Sequence, residues 1–159
     1  VGPMDYTPCT FSDSQHPHIT TNAHELALTV LYESTLVHLA DKPQSYLAQP
    51  QTVQDFFTNL PTVWDETRYI SGYPGESAVL ARRSGDAWYI AGINGKDEPQ
   101  SLTADLKGII ESGKTVTRFL DTGDKDQPWD ITTGESSNTL PESIMFNCQP
   151  RGGFVMVIE

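Results

Sequence analysis

The hydrophobic period of this chain changes once, and the change decides what each half can fold into. From Thr20 to Asp41 apolar residues recur at helical spacing: Ala23, Leu26, Ala27, Val30, Leu31 and Val37, with Leu28, Leu36, Leu39 and Ala40 widening the stripe. This predicts one strong helix over 20–41. Asn22 followed three residues later by Glu25 is a capping-box variant, Thr20 and Thr21 are competing caps, and Pro43 sets the stop near Ala40. A helix this apolar needs cover on more than one side. Beyond Pro61 the period falls to two. Ala78, Leu80 and Arg82 alternate with Val79, Ala81 and Arg83, and Trp88, Ile90 and Gly92 alternate with Tyr89, Ala91 and Ile93. With Ser84-Gly85-Asp86 as the turn, 77–94 predicts a hairpin.

Further strands are predicted at Ser101–Leu106, Thr115–Leu120, Ser143–Asn147 and Phe154–Ile158, separated by turn residues. Six or more short strands of this kind give an antiparallel sandwich or barrel. Between the halves, Pro43, Pro50 and Pro61 bracket the amphipathic run Val53-Gln54-Asp55-Phe56-Phe57, which reads as one or two helical turns connecting two modules. Residues 1–19 and 121–143 are polar or proline-punctuated and read as loops, although Val1 to Tyr6 can finish a strand. The expected fold is mainly β with an N-terminal helical segment.

Twenty-one acidic against ten basic residues give a net charge of −11. That charge repels phosphate backbones and anionic lipid, so nucleic-acid and membrane-surface partners are not expected. No stretch approaches the roughly 18 apolar residues of a membrane span. The chain opens Val-Gly-Pro-Met, which reads as a cut from something longer, and it shows no signal segment of its own. Two cysteines, Cys9 and Cys148, are too few to define a disulfide framework.

His24-Glu25 begins like a zinc-protease helix motif, but Leu28 stands where the second histidine is required. On one helix His24 and His38 lie about 21 Å apart, too far to share an ion; buried or rim histidines with ordinary hydrogen bonds are the expectation. His16-Pro17-His18 lacks further ligands nearby. Asp121, Asp124, Asp126 and Asp130 miss the glycine and the closing glutamate of a calcium loop, so a solvated connection is expected, with no metal site in the chain. There is no Gly-x-Ser-x-Gly elbow and no reactive-cysteine signature. Gly92-Ile93-Asn94-Gly95 is neither a phosphate loop nor a dinucleotide fingerprint. Among Trp64, Tyr69, Tyr73, Trp88, Tyr89 and Trp129, material exists for stacking on sugars. Trp88 and Tyr89 occupy opposite faces of one strand, so at least one belongs to the core. That leaves Trp64 and Trp129 as candidate sugar-stacking residues.

Three strings taken in order carry a resemblance: Val1-Gly-Pro-Met-Asp-Tyr-Thr-Pro8; Thr20-Thr-Asn-Ala-His-Glu-Leu-Ala-Leu28 continuing to Leu36-Val-His-Leu-Ala-Asp41; and Val63-Trp-Asp-Glu-Thr-Arg68 with Ala81-Arg-Arg83 and Trp88-Tyr-Ile-Ala-Gly-Ile93. Together they resemble glycoside hydrolase family 97, which contains α-glucosidases and α-galactosidases. The resemblance implies that 1–42 is the last strand and helix of a (β/α)8 catalytic barrel, 43–62 a linker with a short helix, and 63–159 a C-terminal antiparallel β-sandwich. It implies an exo-acting parent whose catalytic glutamates and bound calcium ion lie upstream of Val1, so no catalytic residue is assigned here. Barrel sites lie at strand C-terminal ends, leaving Met4, Asp5 and Tyr6 as candidates for the substrate-pocket rim. The implied partners are the rest of the parent enzyme, its oligosaccharide and a second copy of the chain. The implied location is the periplasm or exterior of a bacterium. The chain itself is expected to be non-catalytic and structural or oligomerising. The alternative is a carbohydrate-binding module without hydrolytic activity.

Overall fold

A computed structural model describes residues 5–13, 16–17, 19–34, 36–109, 113–136 and 141–159. Among the described residues three helices, α1 (Asn22–Leu31), α2 (Pro43–Leu47) and α3 (Gln51–Asn59), precede eight strands. These are β1 (Glu66–Tyr73), β2 (Ser77–Ser84), β3 (Ala87–Asn94), β4 (Gln100–Asp105), β5 (Thr115–Asp121), β6 (Trp129–Glu135), β7 (Ser143–Cys148) and β8 (Gly153–Ile158). Six form one antiparallel sheet in the order β1-β2-β3-β8-β5-β6, and β4 pairs with β7 in a second, two-stranded sheet.

The period-two pattern builds three layers. From β3 and β8, Trp88, Ile90, Phe154, Met156 and Ile158 face the small sheet and pack on Leu102, Ala104, Phe146 and Cys148. Their alternate neighbours Tyr89, Ala91, Val155 and Val157 face the other way and pack on Leu26, Ala27 and Val30 of α1 and on Val53 and Phe56 of α3. Trp88 and Tyr89 are therefore both core, one in each layer. At about 1.5–3 kcal/mol per fully buried large apolar side chain, neither face of this sheet is stable bare. Glycine is required at two close approaches. A Cβ on Gly92 would run into the ring of its cross-strand partner Phe154, which stacks on Phe146 of the small sheet at 3.9 Å. One on Gly153 would lie 2.8 Å from the His24 Cα.

The hairpin and the four other predicted strands are present to within a residue or two at their ends. Two strands were not predicted. In β1 the register slips between Tyr69 and Ser71, so the consecutive residues Ile70 and Ser71 both turn toward the small sheet and the alternation is lost. β6 lies within the stretch read as a loop; it is an edge strand whose Thr132 to Glu135 are exposed, and only Trp129 and Ile131 reach the core.

The helix predicted over 20–41 stops at Leu31. Tyr32 is already extended (φ −71°, ψ 134°), and the buried Arg82 of β2 ends the helix by donating to the Tyr32 carbonyl at 3.1 Å and pairing with Glu33 at 2.6 Å. The chain then returns beside its own beginning. Tyr6 and Val37 form a parallel bridge, His38 N–H donates to Tyr6 C=O at 2.8 Å, and Ala40 N–H donates to Pro8 C=O at 3.0 Å. Neither segment is a strand: the contact is one isolated parallel bridge with two backbone hydrogen bonds, and α1 lies between its two arms in the chain. That helix is not short of cover: Asn22 through Ala27, Thr29 and Val30 are buried against the sheet. The stretch read as a linker likewise contributes Val53 and Phe56 to the shared core.

Replacing Gly153 with alanine is expected to cost about 1–3 kcal/mol in urea denaturation, the usual penalty of a forced contact. Gly134→Ala, where a Cβ meets nothing within 4 Å, should leave stability unchanged.

Candidate functional site

The polar groups of the chain concentrate where the N-terminus of α1 meets the end of the large sheet. Thr21 is the cap, its hydroxyl accepting from His24 N–H at 3.3 Å. Asn22 is the first helical residue, and the predicted capping box is not formed. Ala23 N–H instead donates to Asp121 Oδ1 at 3.0 Å, and the other oxygen of Asp121 accepts from Gly153 N–H at 3.0 Å. A carboxylate at a helix N-terminus complements the helix dipole, and this one also ties α1 to β5 and β8. Burial raises the Asp121 pKa, opposed by hydrogen bonds from Thr21, Gly153 and Ala23. Beside it His24 is buried, its Nδ1 3.1 Å from Gly152 C=O, which makes Nδ1 the protonated nitrogen. Burial lowers its pKa and keeps it neutral at neutral pH.

Two further carboxylates hold the loop before α1. Glu25 accepts from the Cys9 and Thr10 N–H groups at 3.0 Å each and from the Thr20 hydroxyl. Cys9, at φ 71°, is one of two non-glycine residues in the left-handed region among the described residues. Asp41, at the end of the returning segment, accepts from Phe11 N–H at 3.1 Å and from Ser12 N–H and Oγ at 2.8 Å each. Burial pushes Asp41 up, but hydrogen bonds from Ser12, Lys42, Phe11 and Ser45 outweigh it and hold the carboxyl well below the usual range. Tyr46 donates its hydroxyl proton to Cys9 C=O at 2.6 Å and accepts from Asp41 N–H at 2.8 Å. Burial carries its pKa to about 12.

Neither thiol is prepared for nucleophilic work. Cys9 and Cys148 are free and buried. Burial pushes Cys9 well up, with Glu25 and Asp41 adding to the effect, and pushes Cys148 to about 12 with help from Asp121.

The candidate site residues fall as follows. Met4 lies outside the described residues. Asp5 is exposed. Tyr6 sits on the parallel bridge with its ring stacked on Tyr32 at 4.0 Å. Trp64 packs edge-on to Tyr89 at 5.3 Å, with the Arg82 guanidinium 5.6 Å from its ring centre. Trp129 donates from Nε1 to Gln49 Oε1 at 2.9 Å and meets Phe11 and Phe119 edge-on. It also lines a cleft of about 1000 Å³ between the loop after β5 and the segments around Phe11 and Pro50. His16 and His38 are exposed, and His18 lies outside the described residues. Asp124 and Asp126 lie in the loop after β5, where Asp124 accepts from Asp126 N–H at 2.9 Å. Among the described residues no group of three or more His, Cys, Asp or Glu side chains is placed to hold a metal ion. The three carboxylates that organise the loops were not predicted as such, because an acidic residue that serves buried N–H groups reads the same in sequence as a solvated one.

Comparison with known proteins identifies this architecture. Residues 63–159, more than half of the chain, match the family described as glycosyl-hydrolase 97 C-terminal, oligomerisation. The chain belongs to this family. A probable retaining alpha-galactosidase of Streptomyces bingchenggensis is 50% identical over 92 residues, covering 58% of this chain and 14% of that protein. The crystal structure of a beta-arabinopyranosidase superposes with a TM-score of 0.81 at 32% identity, covering 98% of this chain and 25% of its own. A glycoside hydrolase family 97 enzyme from Pseudoalteromonas sp. strain K8, solved in complex with panose, gives 0.80 at 27% identity, covering 99% and 26%. The family 97 chain thus spans a small part of each relative. Both superpositions include the helical half together with the sheets.

Asp41→Asn should lower stability at pH 7 by about 1–2 kcal/mol, since it weakens charge-assisted hydrogen bonds that are partly screened by solvent. A folded pKa held below the unfolded one gives stability that is present above about pH 4 and lost as the pH falls toward the folded value. The gap between wild type and variant in denaturant titrations should therefore narrow progressively below about pH 4.

Proposed function

We propose that this chain is the C-terminal portion of an exo-acting glycosidase that releases terminal α-galactosyl or α-glucosyl units, and that its own task is structural and oligomerising. The observation that carries this is the superposition of 98–99% of the chain, the segments flanking α1 included, on about a quarter of two solved glycosidases. The parallel bridge between Tyr6 and Val37 on either side of α1 is compatible with the edge of a barrel that a β-module then closes. In such enzymes two carboxyl groups flank the glycosidic bond. The name of the Streptomyces relative favours retention of configuration, with one carboxylate as nucleophile and the other as acid and then base. Within 1–159 the buried or hydrogen-bonded carboxylates Glu25, Asp41 and Asp121 are occupied by backbone N–H groups. The acid, the nucleophile and any calcium ion then belong to the rest of the parent, and this chain supplies the frame.

The chain alone should show no turnover of aryl α-glucosides or α-galactosides with calcium present. Hydrolysis that disappears when a carboxylate within 1–159 is changed would overturn the reading. Sedimentation velocity should show reversible self-association, in line with the family's description; a strict monomer across a hundredfold concentration range would remove the oligomerising role.

A further inference from the structure

The cleft beside Trp129 is a feature that the structural role leaves unused. Its volume of about 1000 Å³ is in the range of ligand sites, which run to roughly 300–1000 Å³. It opens between the two halves of the chain and is lined by Phe11 and Trp129, whose rings meet edge-on, by Pro50, and by Asp124, Gln127 and Gln149.

The aromatic wall is fixed in advance. Trp129 is pinned by its hydrogen bond to Gln49 and by edge contacts with Phe11 at 5.7 Å and Phe119 at 6.4 Å. Phe11 in turn meets Tyr46 and Phe57 at 5.7 and 6.1 Å. Rings held by packing present apolar surface without an ordering cost on binding. The polar groups around them include carboxamides and carboxylates beside the Thr20 and Thr21 hydroxyls and Lys125. Asp124 uses one oxygen for Asp126 N–H and keeps the second, while Gln127 and Gln149 each carry an amide that both donates and accepts. This is the complement of a molecule with an apolar ring face and a rim of hydroxyls. Asp124 and Asp126 against the single Lys125, on a chain of net charge −11, disfavour phosphates and uronates.

We infer that this cleft binds a neutral oligosaccharide, with Trp129 as its ring wall and Asp124, Gln127 and Gln149 as its hydroxyl partners. The choice of sugar as ligand class rests in part on the glycosidase reading; the cleft geometry does not.

Isothermal titration of the 159-residue chain with maltotriose and with melibiose, and with glucose 6-phosphate as the anionic control, tests the inference. Saturable binding of at least one neutral sugar is expected, with the anion at least about tenfold weaker. The double variant Asp124→Asn, Gln127→Ala lies on an exposed loop and should retain the wild-type unfolding curve while losing about tenfold or more in affinity, the value of one good hydrogen bond to a sugar hydroxyl. Trp129→Phe should abolish any sugar-induced change in tryptophan fluorescence. No saturable heat with either neutral sugar, equal affinity for the anion, or affinity unchanged in the double variant would each overturn the inference. Such a failure is separable from failure of the glycosidase reading, which is decided by turnover and not by this titration.

Discussion

The strands β3 and β8 are buried on both faces, and the rest of the molecule follows from that constraint. Every residue of β8 from Gly153 to Ile158 is buried, as are Trp88 to Gly92 beside it. An antiparallel pair normally offers one face to solvent; a pair with two apolar faces needs two covers. The small sheet β4–β7 supplies one cover, and α1 with α3 supplies the other. The helical half is thus a layer of the same unit, although the family match covers only 63–159.

What fixes that layer in place is a set of charged groups used as anchors. Asp121 joins the first turn of α1 to two strands, Glu25 and Asp41 gather the N–H groups of the preceding loop, and Arg82 ends the helix from the sheet side. Buried charges are tolerated when they are paired and hydrogen-bonded, and here the partners are mostly backbone groups, although the buried Arg82 Nε has no partner among the described residues. The same anchoring positions the loop around Phe11 against Trp129, and the cleft lined by both lies beside the loop after β5.

Much of this was legible in the sequence. The alternation of 77–94 marked the hairpin, and the apolar runs at 115–120 and 154–158 marked two of its neighbours in the large sheet. β1 escaped because a bulge puts Ile70 and Ser71 on one face, and β6 because an edge strand can be polar on both faces. The helix was overextended because nothing between Tyr32 and Ala40 breaks a helix locally; its end is imposed by Arg82, 50 residues away from Tyr32, and by pairing with Tyr6 and Pro8. For the same reason His24 and His38, once placed on one helix, belong to different elements. Family membership was readable from strings such as Val63-Trp-Asp-Glu-Thr-Arg68, whereas the cleft was not, since it is assembled from segments more than a hundred residues apart. Trp129 was singled out by residue type, and only the fold shows that it forms a wall rather than an open platform.

Helices and sheets share one core, and differential scanning calorimetry of the whole chain can disprove it. One transition, with the calorimetric enthalpy equal to the van't Hoff enthalpy, is the predicted result. Two separable transitions, the first removing helical signal while the sheet stays folded, would show that α1 and α3 are appended to the β-module and do not complete it.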